Sequence, residues 1–213
     1  MIRGAELHSP ANAEHIMGMP AMARRRWTAA DVRALIQGDR HWPRYELLDG
    51  ELLVTPSPES PHQFAITGLL VELDGYCRRE RVGAALASPA DIQLAPESIM
   101  QPDVFVVPEA LLPPDRPPHW PEVTWLLLAV EVLSPSSMRD DRIRKRDFYL
   151  ANGVREYWIV DLDARIVERW TPERDRPDVV RDTLEWVPEG ARQPLRIDLD
   201  EFFHARCRLK RYG

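Results

Sequence analysis

The stretch Leu126–Asp161, LLLAVEVLSPSSMRDDRIRKRDFYLANGVREYWIVD, decides how the chain folds. Its first run, LLLAVEVL, is apolar without alternation and reads as a strand buried on both faces. EYWIVD, at 156–161, reads as a second strand. The charged segment between them carries helix signals. Ser136 or Ser137 can cap it, Asp140 and Asp141 fit its first turn, and Gly153 falls just past its end. Glu131 stands inside the first run, where a carboxylate is costly unless it is paired or coordinates a metal. On the helix, Asp141, Lys145 and Tyr149 are spaced i, i+4, i+8 and share one stripe.

Outward from this unit the chain alternates between helical and extended patterns. TAADVRALIQG, from Thr28, predicts a short helix with Val32, Leu35 and Ile36 on its apolar face and Gly38 at its end. YELLDGELLVTP predicts a strand pair about the Asp49-Gly50 turn, and TPSPESP a rigid loop. Residues 62–79 have helical spacing through Phe64, Ile66, Leu69, Leu70, Leu73 and Tyr76. Residues 82–94 suggest two strand pieces around Ser88-Pro89. PDVFVVP is a short buried strand opening with Asp103, and the Pro-rich 108–122 segment cannot continue a sheet. IVERWTP, at 166–172, predicts a strand paired back on EYWIV, with further strands and a closing helix after it. Residues 1–21 show little periodicity and are expected to be a flexible extension. Residues 22–213 are expected to form a single domain.

Composition narrows the function classes. A 213-residue chain with 44% hydrophobic residues can bury a full core. No apolar run approaches the ~20 residues of a membrane span, and the first residues lack an apolar signal core, so a cytoplasmic location is expected. The two cysteines, Cys77 and Cys207, make neither a disulfide framework nor a metal cluster. A formal net charge of −6 argues against non-specific coating of nucleic acid, though not against a local basic groove. Among 28 basic residues only Lys145 and Lys210 are lysines. Lys145, in the middle of RIRKRDF, therefore departs from the chain's own habit. Lysine is a compact donor with tunable protonation, as catalysis often needs.

Asp103 and Glu131 on neighbouring strands, with a lysine nearby, are what metal-assisted phosphodiester cleavage requires. Hard oxygen ligands hold Mg²⁺, the metal acidifies a water and neutralises phosphate charge, and the lysine orients or deprotonates that water or stabilises the transition state. YELLDGELLVTPSPESPHQ, QPDVFVVP, VEVLSPSS, the D…K…Y helix and GVREYWIVD together resemble the Uma-type restriction endonucleases of the PD-(D/E)XK nuclease superfamily, over about residues 25–202. The resemblance implies an α/β fold with a restriction-endonuclease-like mixed central sheet flanked by helices, and extra C-terminal β-strands. It implies a DNA substrate, Mg²⁺ (or Mn²⁺) as cofactor, and Asp103 and Glu131 as its ligands, with the Val132 backbone carbonyl as a further one. The superfamily's lysine normally stands two residues after the Glu. Here Leu133 holds that place, and the resemblance implies that the lysine has moved to the following helix, as Lys145.

Each residue has a plainer reading beside the functional one. Asp103 can simply open a strand, and Glu131 can pair with a buried Arg. One of Glu46 and Glu51, flanking the Asp49-Gly50 turn, is a candidate third acid, although hairpin charges are mostly solvated. His62 begins a helix after a Pro and is either a surface residue or part of the site. Asp91 is a candidate cleft residue. Asp141 and Tyr149 either orient Lys145 or serve as a helix-start acid and a core aromatic. The tryptophans read as core or interface residues, and Arg139, Arg142, Arg144 and Arg146 as candidate phosphate contacts. A homodimer is expected, because cutting two strands needs two sites. The competing class is a nuclease-fold protein without catalysis, acting as a nucleic-acid-binding or regulatory module.

Overall fold

The structure, a computed structural model, describes residues 26–38, 43–134 and 138–209. A short helix α1 (Ala29–Gly38) leads into a hairpin of β1 (Arg44–Leu48) and β2 (Glu51–Thr55). Asp49 and Gly50 both have positive φ, 54° and 78°, which is the backbone a tight two-residue hairpin turn demands. The 21-residue helix α2 (Ser60–Glu80) follows, with Pro61 in its first turn, where the missing N–H costs nothing.

The core is a six-stranded sheet of β3 (Gly83–Ala87), β4 (Val104–Pro108), β5 (Leu128–Val132), β6 (Tyr157–Asp161), β7 (Ile166–Trp170) and β8 (Asp178–Val180), in that order across the sheet. Every neighbouring pair is antiparallel except β5 and β6, which run parallel. That pair is the strand–helix–strand unit of the sequence, since a parallel connection needs a crossover element. Residues 166–170 pair back on β6 as their pattern predicts. Of the two strand pieces expected in 82–94, only β3 forms. The second reduces to a single bridge between Ile92 and Met100, because the chain turns away from the sheet to cover the hairpin, where Ile99 bridges Leu47.

Alternation in the strands sorts the two faces. Val104, Val106, Val130, Val132, Trp158 and Val160 point to one face, against α2 through Ile66, Leu69, Leu73 and Tyr76. The same layer takes in a C-terminal hairpin, β9 (Thr183–Trp186) with β10 (Leu195–Asp198), and the closing turns that carry Phe202 and Phe203. Phe105, Ala129, Leu133, Tyr157 and Ile159 point to the other face, against Phe148, Tyr149 and Leu48. Trp158, Trp170 and Trp186 are buried, and Trp120 and Trp125 pack at the core's margin. Glu131 shares its parity with Ala129 and Leu133, so it faces the second layer.

The segment after β5 departs from regular α-helix. Residues Asp140–Lys145 wind as a π-helix before α3 (Arg146–Ala151). Single π turns inside helices are frequent at functional sites. The predicted cap at Ser136 or Ser137 lies outside the described residues, as do residues 1–21. No helix among the described residues is long and apolar enough to cross a membrane.

Candidate active site

The register of β4 on β5 pairs Val104 with Val130, so Asp103 lies opposite Glu131 one step further along. Both carboxylates stand where the two strands end, and both are buried, at 3% and 2% exposure. Asp103 is held from three directions. Its Oδ1 accepts from Arg44 Nη1 at 2.9 Å. Its Oδ2 accepts from the Val132 backbone N–H at 2.9 Å and lies 3.2 Å from His62 Nε2. Burial alone would raise its pKa. His62, Arg44 and the Val132 N–H outweigh burial and hold the carboxyl well below the usual range.

Glu131 has a different environment. Lys145 Nζ lies 3.2 Å from its Oε1, and the Tyr149 hydroxyl donates to the same oxygen at 3.2 Å. Burial pushes its pKa well up; Lys145 opposes this, but Asp103, Asp141 and Glu46 add to it. The two opposed carboxyl groups thus differ in kind, one fixed as an anion and the other prone to take a proton or a cation.

Lys145 sits amid three acids, with Glu46 Oε2 at 2.8 Å, Glu131 Oε1 at 3.2 Å and Asp141 Oδ1 at 3.3 Å. Burial lowers its pKa, but Glu131, Glu46 and Asp141 outweigh that and raise it well above the ordinary value, so it is an ammonium at neutral pH. The Asp141–Lys145–Tyr149 stripe therefore does converge on Glu131. Tyr157 holds the π turn from beneath, its hydroxyl donating to the Asp141 carbonyl at 3.0 Å.

The remaining candidates separate. Glu46 is fully buried, and its Oε1 accepts from the Gln101 N–H at 2.8 Å. It is not the solvated hairpin charge that its position suggests, because the loop through Gln101 covers that strand. Its apolar run, YELL, carries the same signal that singled out Glu131. Glu51, across the turn, points outward to Arg144 at 3.1 Å and takes no part in the cluster. Asp91 accepts from Gln101 Nε2 at 2.8 Å, one residue removed from Glu46. Arg44 and Gln101 join the site without having been singled out in the sequence, and Arg44 is one of many arginines with no local mark. Three of the four rim arginines already have acidic partners: Arg142 on Asp161 and Glu168, Arg144 on Glu51 and Asp140, Arg146 on Asp147. A cavity of about 600 Å³ lies between the hairpin turn and the π turn, lined by Asp49, Glu51, Arg139, Asp140, Ile143 and Arg144.

As placed, no group of three or more His, Cys, Asp or Glu side chains among the described residues is arranged to hold a metal ion. The Lys145 ammonium fills the space among Glu46, Glu131 and Asp141. The donor chemistry nevertheless fits a hard divalent ion. Asp103 and Glu131 lie opposite each other, and both offer carboxylate oxygens, the ligands a hard divalent ion takes. The Val132 carbonyl shares the strand edge from which its N–H reaches Asp103, since both groups of one strand residue point the same way in an antiparallel pair.

A mixed sheet whose central strands end in buried carboxylates, with a lysine brought in by the following helix, defines a restriction-endonuclease-like fold. The fold is shared with the crystal structure of a "putative nuclease belonging to DUF820" from Anabaena variabilis ATCC 29413, with a TM-score of 0.62 and 19% identity over 76% of this chain and 90% of that one. The sequence matches the Uma2 family, described as "putative restriction endonuclease", over residues 29–202, and the chain belongs to that family. Comparison with curated proteins finds no significant match.

Proposed function

We propose that the chain is a divalent-metal-dependent endonuclease that hydrolyses DNA phosphodiester bonds, with Mg²⁺ or Mn²⁺ held by Asp103, Glu131 and the Val132 carbonyl. One observation carries this reading. Two buried carboxylates face each other at the ends of β4 and β5, with a single ammonium shared among Glu131 and two further acids. The bound ion would supply a more acidic water and neutralise charge on the phosphate. Asp103, kept ionised by Arg44 and His62, is the permanent ligand. Tyr149 fixes one oxygen of Glu131. Lys145, being an ammonium, acts as a cationic donor toward charge developing on the phosphate and not as a proton acceptor. Glu46 and Asp141 keep it charged and aimed. DNA as the substrate rests on the family's description. Cutting both strands would require two copies of the chain.

The test is Mg²⁺ or Mn²⁺ titration with plasmid and single-stranded DNA, comparing the native chain with Glu131→Ala. Metal-dependent cleavage that disappears in Glu131→Ala is expected. Cleavage that survives the substitution refutes the assignment. A second reading, a non-catalytic nucleic-acid-binding module, is favoured by Lys145 giving Glu131 a cationic partner without a metal ion. It predicts DNA binding that is indifferent to metal and no cleavage under any condition.

A further inference from the structure

His62 lies in the first turn of α2, directly after Pro61. The core anchors that helix just beyond it through Ala65, Ile66 and Leu69. The position of the imidazole is thus inherited from the packing of the helix on the sheet. Its Nε2 stands 3.2 Å from Asp103 Oδ2, the oxygen that also receives the Val132 N–H at 2.9 Å. Its Nδ1 is buried and has no hydrogen-bond partner. With a carboxylate at Nε2, the ring's proton belongs on that nitrogen.

Two consequences follow from the orphaned Nδ1. A ring nitrogen closed off from solvent cannot exchange a proton with a water at that atom, so a general-base role has no route. A residue present only to fill space gains nothing from an imidazole there, because a buried unpaired nitrogen is costly and an aliphatic side chain would fill the same volume without that cost. What the imidazole adds is the N–H aimed at Asp103.

We propose that His62 is a positioning residue for Asp103. Its Nε2–H and the Val132 N–H fix Oδ2, and Arg44 fixes Oδ1, so the carboxylate is oriented as a cation ligand before the ion arrives. This rests on the metal-dependent reading given above. Donors that orient a metal-ligating side chain commonly contribute ~10–100-fold in metal affinity.

The test is Mn²⁺ binding by calorimetry on the full chain without DNA, with melting curves for each variant. His62→Gln places an amide N–H about where Nε2 stands, whereas His62→Asn and His62→Leu do not reach. Wild-type binding is expected to be lost in Glu131→Ala. In His62→Leu and His62→Asn it should weaken by ~10-fold or more, and in His62→Gln it should stay within about threefold of wild type. Should the Leu variant fail to fold, the Gln–Asn contrast decides. Equal affinity in the Gln and Asn variants, or wild-type affinity in both Leu and Asn, overturns the positioning role while leaving the metal site standing. A wild-type chain that binds no Mn²⁺, or a Glu131→Ala variant that binds it unchanged, overturns both.

Discussion

Replacing Lys145 with Met removes an ammonium that three buried acids share while keeping the length of the stem. Lys145 is 3% exposed, and Glu46, Glu131 and Asp141 are each 2% exposed or less. An exposed ion pair of this kind would contribute ~0–1 kcal/mol. Breaking a buried pair leaves an uncompensated charge and costs ~3–5 kcal/mol. Three contacts do not multiply that figure, because burying the ammonium is itself costly and the acids can take up protons once it is gone. The expected loss is therefore about 3–5 kcal/mol near neutral pH in the presence of chelator, read from urea denaturation. The raised Lys145 pKa gives its share of stability below the unfolded-state value, so it is fully present at neutral pH and lost only as pH rises through the folded value. At mildly acidic pH the acids left behind are more readily protonated, and the deficit should shrink. Added Mg²⁺, held by Asp103 and Glu131, should recover part of the loss by neutralising Glu131. A deficit below about 1 kcal/mol, the size of a surface pair, or one that does not change with pH, refutes the buried-cluster reasoning.

Two further substitutions separate the opposed carboxylates. Glu131 carries a pKa well above its ordinary value, a stability that is lost as pH rises. Glu131→Gln should therefore leave the metal-free chain as stable as wild type or more so at neutral pH, by melting temperature, while abolishing metal-dependent cleavage. Asp103 is shifted the other way, so its contribution is present above about pH 3.9, the ordinary aspartate value, and lost as pH falls through its folded value. Asp103→Asn should destabilise the chain near neutral pH by about 2–4 kcal/mol, because the buried Arg44 loses its ion pair with Asp103. It should also flatten the acid limb of the stability–pH curve; an unchanged limb would show that Asp103 is not the anion described.

The sequence by itself determined most of the local elements and singled out candidate residues for the chemistry. The non-alternating, mostly apolar runs at 126–133 and 156–161 specify buried strands, the Asp49-Gly50 dipeptide specifies the hairpin, and a carboxylate inside an apolar run marks Glu131. Rarity of lysine marks Lys145. These signals are legible because each lies within a few residues of its cause. Tertiary structure alone decided what surrounds them. Glu46 is buried because a loop 55 positions later folds over its strand, and Glu51, five residues on, is left outside with Arg144. Arg44 and His62 reach Asp103 across 59 and 41 positions of sequence. The π winding that brings Asp141 and Lys145 inward rests on Tyr157, one strand away. Electrostatic partners are chosen by packing between distant segments, and no window of the sequence records them. That packing, not the motif, makes Asp103 a fixed anion and Glu131 the acid that shares an ammonium with its neighbours.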